Sequence, residues 1–334
     1  MPRRINLLLT LILSVAISFG LPVAEAAATT SKTNSINAGQ ALEIAPPVIT
    51  LRVNPGQTIK VPIYLRDIAK TNLIVTGQAN DFVAGGEDGT PKLLLDGASS
   101  DPYSLKTWVT SLPSLTLIPH EIKAMTVTLE VPKGASPGGH YGVIRFTATP
   151  PNLDKTGVSL SASLGALLLL TVNGKINESV SIAEFSASQN GQPGSLFEAP
   201  PIDFVERFKN SGNVHEQPTG RITITDMFGH DFAAVNVNVP STNVLPDSIR
   251  RYTQSLDSAT IGNNIMLGHY TASLRITYGL KKTVLVSQVQ FWVIPWRLAI
   301  VAVVGIVALF FGLRYVIRRY NRFIIGQSQR GRRY

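Results

Sequence analysis

The chain has 334 residues, of which 44% are hydrophobic and only 15% are charged; its formal net charge is +9 and it has no cysteine. The missing cysteine excludes disulfides, thiol catalysis, cysteine-ligated zinc and iron–sulfur clusters. The excess positive charge lies in the two ends, because residues 27–296 hold equal numbers of basic and acidic side chains. That middle region has no basic stripe, so no nucleic-acid partner is expected.

The N-terminus has the three parts of a secretory signal. Two arginines near the start are followed by an apolar run over residues 5–23 and by the small-residue site Ala24-Glu25-Ala26. This order predicts a signal peptide over residues 1–26, with an uncleaved N-terminal anchor as the alternative. Residues 27–40, rich in Ala, Thr, Ser and Asn, predict a disordered spacer.

Residues 41–175 predict a first β-sandwich. Apolar and polar residues alternate strictly over residues 49–53, 59–65 and 125–131. Such alternation is typical of strands with one buried and one solvated face. Asn54-Pro55-Gly56-Gln57 predicts a type II turn. Pro62 cannot donate to a sheet, so its strand is expected at an edge or with a bulge. The apolar run over residues 164–172 is too short to span a membrane and predicts a buried closing strand.

Residues 176–294 predict a second β-sandwich, with alternation over residues 235–239 and 274–278. A short motif links the two units, since Gly139-His140-Tyr141 in the first is repeated as Gly268-His269-Tyr270 in the second. Each triplet comes where the penultimate strand of its unit would begin. Tyr141 and Tyr270 are therefore predicted to be tyrosine corners, whose hydroxyls bond to upstream backbone in immunoglobulin-like sandwiches.

Residues 295–317 predict a transmembrane helix. About 20 residues of helix span roughly 30 Å, which matches the hydrocarbon core of a bilayer. The expected membrane anchors flank this segment and are Trp292, Trp296, Arg314, Arg318 and Arg319. The basic tail, residues 318–334, predicts a cytoplasmic C-terminus and an extracellular or periplasmic ectodomain. The expected fold is all-β, with two tandem immunoglobulin-like antiparallel β-sandwiches followed by a single C-terminal transmembrane helix in the cell membrane.

Two small sets of residues are candidate binding sites in the first unit. Asp81, Glu87 and Asp88 lie on a glycine-rich stretch that could bind calcium, but the spacing fits no EF-hand and an ordinary hairpin turn is the favoured interpretation. Tyr103 and Trp108 could form an aromatic platform for a glycan polymer. A lone strand tryptophan more often fills a sandwich core, and that interpretation is favoured.

Catalytic and cofactor motifs are missing from the sequence. The dipeptides His120-Glu121 and His215-Glu216 begin like a zinc-protease motif but lack its second histidine, so no metal site is expected. No nucleophile elbow and no phosphate-binding loop are found either. We therefore expect no cofactor and no enzymatic activity.

The first unit resembles the peptidoglycan-binding domain of the WxL-interacting protein family, a group of Gram-positive-type surface proteins, over residues 40–175. The residues that carry the resemblance are Leu51-Arg52-Val53-Asn54-Pro55-Gly56-Gln57, Asn80-Asp81-Phe82, Val131-Pro132 and Gly138-Gly139-His140-Tyr141-Gly142. The resemblance implies a signal peptide, two sandwich domains, one transmembrane helix and a basic tail. It also implies that the first domain binds cell-wall polymer and the second a protein partner or host component, although the second unit matches less well.

Three hypotheses about function follow. The leading one is a membrane-anchored cell-surface binding protein that recognises peptidoglycan, another surface protein or both, without catalysis. The alternative is a chaperone-like or assembly subunit of a surface complex that acts by strand-edge pairing. A wall-modifying enzyme is disfavoured because no catalytic constellation is visible. The identity of the partner and the oligomeric state are left open.

Overall fold

The computed structural model describes residues 42–95, 102–149, 163–262 and 264–330. The predicted signal peptide and spacer lie outside the described residues, as do the last four residues of the basic tail. The described chain is mostly β-strand, with one long helix at its C-terminal end.

The first sandwich is built from ten strands, which are β1 (Leu42–Ala45), β2 (Val48–Val53), β3 (Thr58–Asp67), β4 (Leu73–Ala84), β5 (Pro91–Leu94), β6 (Val109–Ser111), β7 (Leu115–Leu117), β8 (Ile122–Glu130), β9 (Gly138–Thr149) and β10 (Ser163–Val172). One sheet has the order β1-β3-β8-β6 and the other β2-β10-β9-β4-β5, with β7 also paired to β4. All pairs are antiparallel except β2 with β10.

The second sandwich repeats this scheme. Its strands are β11 (Val180–Gln189), β12 (Gln192–Pro193), β13 (Leu196–Phe197), β14 (Ile202–Asn210), β15 (Thr219–Asp226), β16 (Asp231–Val237), β17 (Ser248–Leu256), β18 (Gly268–Tyr278) and β19 (Thr283–Val293). The sheet orders are β12-β11-β14-β17 and β13-β19-β18-β15-β16, and the short strand β13 lies parallel to the last strand. A single helical turn, α1 (Ser258–Ile261), follows β17. The two predicted immunoglobulin-like sandwiches are confirmed.

The alternation in the sequence explains where each core lies. In β3, Val61, Ile63 and Leu65 are buried while the residues between them are exposed. The apolar residues of β8 face them from the neighbouring strand, so both strands contribute one row of side chains to the first core. A separate core of the same kind fills the second sandwich. Because a strand turns alternate side chains to opposite faces, each period-two run buries one face and leaves the other solvated.

Two local predictions in the first sandwich have structural counterparts. Gly56 has a φ of +77° in the turn between β2 and β3, which the amide of Gln57 closes onto the carbonyl of Asn54 at 3.1 Å. Pro62 pairs with Thr126 of β8 on one side. On its other side β1 covers only Tyr64–Asp67, so within the described residues Pro62 lies on an open edge.

The long helix α2 (Trp296–Arg330) follows β19 after only two intervening residues. Its segment Ala299–Tyr320 has a mean hydropathy of 2.5, and none of that segment is covered by the rest of the protein. It is the one helix in the described part of the chain that is long and apolar enough to cross a membrane. The predicted anchors Arg314, Arg318 and Arg319 lie in its C-terminal half, where the apolar segment ends.

Candidate functional site: the cleft between the two sandwiches

The loop between β4 and β5 joins the first sandwich to the second. Arg207 of β14 donates from Nε to Glu87 Oε2 at 2.8 Å and makes a second bond from Nη2 to Glu87 Oε1. The same guanidinium lies 3.2 Å from the carboxylate of Glu184. The amide of Arg251 donates to the Glu87 carbonyl at 2.7 Å. These bonds tie the loop to two neighbouring strands of the second sandwich, since a two-point arginine–carboxylate pair is both strong and directional.

The three carboxylates of the predicted cation site have separate partners. The Arg207 hydrogen bond lowers the pKa of Glu87, and the bonds from Thr90 lower the pKa of Asp88. Asp81 is buried and accepts from the amides of Leu105 and Lys106 at 3.0 Å each. Among the described residues no group of three or more His, Asp or Glu side chains is placed to hold a metal. Each of the three carboxylates is therefore held by partners within the protein, and calcium binding at these residues stays a prediction.

Asn213 makes a second connection between the sandwiches. Its carbonyl accepts from the amide of Gly139 at 2.7 Å, and its side-chain nitrogen donates to the carbonyl of Pro137 at 3.0 Å. Gly138 has a φ of +122°, and a side chain there would collide with Asn213. The glycines that open β9 thus allow a close contact between the two domains.

The predicted aromatic platform is divided between two environments. Trp108 is only 7% exposed and belongs to the first core, with its ring 4.3 Å from that of His140. Tyr103 lies at the domain boundary, where its hydroxyl donates to Asp247 Oδ2 at 3.0 Å. The structure contradicts a joint glycan platform, because the tryptophan face is covered by its own domain and the tyrosine contacts the second domain.

The two predicted tyrosine corners face in different directions. Tyr270 points into the second core, and its hydroxyl accepts from the amide of Leu267, three residues upstream, at 3.1 Å. Tyr141 points away from the first core toward the second sandwich, where its ring centroid lies 5.7 Å from that of His215. In β9 it is His140 that faces inward. Tyr141 therefore faces the opposite side of its sheet from Tyr270, because a shift of one residue in a strand exchanges its two faces, and its role as a tyrosine corner stays a prediction.

Two adjoining cavities among those along the boundary between the sandwiches form the candidate site. The first, of about 310 Å³, is lined by apolar side chains of β2 and β10 and by the segment before β17, including Val48, Leu169 and Leu245. The second, of about 510 Å³, is polar. Its charged and titratable lining residues are Arg52, Glu178, His215, Glu216 and Lys282. Thr50 and Gln217 line both cavities, so the two form neighbouring parts of one cleft.

Burial sets the protonation of the polar part of the cleft. It raises the pKa of Glu216 to about 7, with a smaller contribution from the neighbouring Glu178. It lowers the pKa of His215 to about 4, helped by the positive charge of Arg52. At neutral pH the cleft therefore presents a neutral imidazole and a carboxyl that is partly protonated. These groups can exchange hydrogen bonds with a ligand.

The sequence contained few signals for the cleft. His215-Glu216 resembles only a fragment of a zinc-protease motif, and Arg207 lies within a strand that has no motif of its own. The partner of Arg207, Glu87, is 120 residues away in the chain. Such a pairing has no local signature.

No family model and no curated protein matches the chain. Among solved structures, it is similar to a chain from a chaperone–tip adhesin complex of CFA/I fimbriae biogenesis (15% identity, covering 74% of this chain and 97% of that one, TM-score 0.38). It is also similar to the class 5 fimbriae chaperone CfaA (14%, 74% and 98%, TM-score 0.35) and to a chain of the CsuC–CsuE pre-assembly complex of Acinetobacter baumannii (12%, 73% and 97%, TM-score 0.35). Identities and TM-scores this low assign no function to the chain.

Proposed function

We propose that the protein is a membrane-anchored, non-enzymatic binding protein of the cell surface that takes its ligand in the cleft between the two sandwiches. The observation that carries the proposal is the cleft itself. Glu87, Arg207 and Asn213 hold the domains together, yet two cavities lined by both domains are left between them. A partly apolar, partly hydrogen-bonding recess of this size is the usual form of a binding site.

The anchor determines where the cleft acts. Helix α2 follows the last strand of the second sandwich directly, so both sandwiches lie on the same side of the proposed membrane. The arginines at the C-terminal end of α2 favour the cytoplasm for the tail and the outside for the sandwiches. Attachment also raises the local concentration of the cleft at the surface, which allows a weak contact to be effective. Protease added to intact cells or spheroplasts should digest the sandwiches and spare the tail; the reverse pattern would refute this orientation.

Another surface protein is the first ligand that we propose for the cleft, and peptidoglycan is the ligand that the family resemblance implies. A photo-crosslinking residue in place of Gln217, which is exposed and lines both cavities, tests the first. We expect it to capture a discrete partner on intact cells, whereas a probe at the exposed Gln288 of β19 should not. Equal labelling from both positions, or none from Gln217, would contradict binding in the cleft.

Peptidoglycan binding is tested separately by sedimentation of the detergent-solubilised full chain with purified cell wall. If the polymer binds in the cleft, Arg52→Ala should reduce the sedimented fraction, because Arg52 lines the polar cavity. Arg66→Ala, which removes an exposed arginine paired with Glu43 at 3.4 Å, serves as the matched control. A wild-type chain that stays in the supernatant would eliminate the polymer as a ligand.

A second candidate function, pairing of a partner strand with an open sheet edge, is favoured by β3. Residues Thr58 to Ile63 pair with β8 on one side and have no described strand on the other. An open edge of about six residues is long enough to accept an added strand. A photo-crosslinker at the exposed Lys60 should then capture a partner that a probe at the exposed Lys281 misses. Capture from Gln217 without capture from Lys60 would favour the cleft over the edge.

A further inference from the structure

The end of the second sandwich where α2 begins carries many exposed apolar side chains. The pairing register shows which strand ends lie side by side there. Gly268 at the start of β18 pairs with Val293 at the end of β19, and Asp226 at the end of β15 pairs with Tyr270 of β18. Leu196 of β13 pairs with Trp292 at the same level. The β15–β16 turn, the segment before β18 and the start of α2 therefore lie at the same end of this sheet, where its strands start or finish.

We call this end of the sheet the helix-proximal rim. It consists of six exposed apolar residues, which are Leu196, Met227, Phe228, Ile265, Leu267 and Trp292. Phe228 is 76% exposed and Ile265 is 84% exposed, which is high for side chains of this size. They come from four separate chain segments that the sheet brings together. Exposed apolar side chains gathered at one end of a sheet mark a site that another apolar phase covers.

The rim is held outward by the local structure. Asp226 Oδ1 accepts from the amides of Phe228 and His230 at 2.9 Å each, and Gly229 has a φ of +87° at the tip of the turn. The side chain of Met227 lies over Gly268, which links the turn to the neighbouring strand. The turn is thus fixed in a shape that presents Met227 and Phe228 beyond the end of the sheet.

We propose that the helix-proximal rim rests in the lipid headgroup region of the bilayer that α2 spans, so that the second sandwich is docked on the membrane as well as tethered to it. This inference rests on the proposed membrane anchoring. The apolar segment of α2 starts at Ala299, three residues or about 5 Å of helix beyond Trp296. The rim begins at Trp292, so it lies close to the hydrocarbon boundary, at the depth where interfacial apolar side chains are buried by about 5–10 Å.

The charges near the rim give it no need for anionic lipid. The described charged side chains near the rim include Asp226, Asp231 and the ion pair of Glu198 with Arg297 at 3.3 Å. None of them adds an unbalanced positive charge to the rim. Contact with the bilayer is therefore driven by apolar side chains and by the indole of Trp292, which suits an interface between water and lipid.

The cysteine-free chain permits a direct test in the full-length protein. Single cysteines replace Phe228, Ile265, Leu280 or Val303, and each carries an environment-sensitive fluorophore. The labelled proteins are placed in phosphatidylcholine vesicles. One set of vesicles contains lipid spin-labelled near the headgroup, and the other contains lipid spin-labelled deep in the acyl chain. Leu280 is the matched control, since it is 68% exposed in the turn at the opposite end of the same sheet. Val303 lies within α2 and reports on insertion of the helix.

We expect several-fold stronger quenching by the shallow spin label at positions 228 and 265 than at position 280, together with deep quenching at position 303. Deep quenching at 303 with no difference between 228, 265 and 280 would overturn rim docking and leave the anchor intact. Loss of quenching at 303 would overturn the anchor itself and the rim docking that rests on it. Fluorophores at 228 and 265 that are shielded from aqueous iodide but not quenched by lipid would show a protein contact, and would also overturn docking on lipid.

Discussion

Glu206 is a carboxylic acid in the interior of the second sandwich, and its replacement offers a quantitative test of the fold. It lies on β14 between Phe204 and Phe208, whose side chains share its face and belong to the second core. Its side chain is fully buried, and neither carboxyl oxygen has a hydrogen-bond partner among the described residues. We expect Glu206→Gln, which keeps the shape and removes the acid, to stabilise the protein at neutral and alkaline pH.

The size of the effect follows from the pKa of Glu206. Burial raises it from 4.5 to about 9, so the group is neutral in the folded protein at pH 7 and ionised in the unfolded chain. A folded-state pKa above the unfolded one gives stability that is fully present below pH 4.5 and is lost as the pH rises toward 9. The loss is about 1.4 kcal/mol per pH unit. Between pH 4.5 and pH 7 the free energy of unfolding of the wild type therefore falls by about 3 kcal/mol because of Glu206, and this fall is missing in Glu206→Gln.

Two other buried groups determine the pH window for the measurement. Glu216 has a pKa raised from 4.5 to about 7, so it also lowers the free energy of unfolding as the pH rises between these two values. His215 acts in the opposite direction, because its pKa is lowered to about 4 and stability rises with pH between that value and 6.5. Between pH 7 and 8.5 Glu206 dominates, and the wild type should lose about 2 kcal/mol over that range.

The assay is urea unfolding of the detergent-solubilised full chain at several pH values, followed by near-ultraviolet circular dichroism, which reports the packed aromatic cores of both sandwiches. The expected result is a free energy of unfolding that falls with pH in the wild type and is nearly constant in Glu206→Gln above pH 7. Glu198→Gln, which neutralises an acid on the surface side of the same sandwich, is the control. Parallel pH profiles for the wild type and Glu206→Gln would refute the assignment of a buried, neutral carboxyl.

Three further substitutions test the domain boundary and the cores. Asn210→Ala should lower the free energy of unfolding, measured by chemical denaturation, by about 2–3 kcal/mol. The substitution removes a buried side-chain amide that donates to the carbonyls of Val214 and Val244 and accepts from the backbone amide of Gly212. Arg207→Ala should loosen the two sandwiches and broaden their distance distribution in small-angle scattering, whereas Lys209→Ala on the same strand should not. Trp108→Ala should destabilise the first sandwich by about 3–5 kcal/mol in calorimetry, since it empties a core position.

The domain boundary shows how far local patterns reach. The loop that contains Glu87 and Asp88 has the composition of a hairpin turn or a weak cation site, and both interpretations use only neighbouring residues. The contact that the loop actually makes is with Arg207, in the other sandwich. Tyr141 and Tyr270 give a second example. Their identical triplets correctly mark where β9 and β18 begin, but the two tyrosines point to opposite sides of their sheets.

Period-two alternation, turn residues and the long apolar segment near the C-terminus are properties of short stretches of chain, so they predicted the strands, the two sandwiches and the candidate membrane helix. The cleft, the burial of Glu206 and the helix-proximal rim depend on which strands become neighbours and on which face of each strand turns inward. Strand neighbours join residues far apart in the chain, and a one-residue change of register reverses a face without altering the pattern. These features became visible only in the assembled sheets.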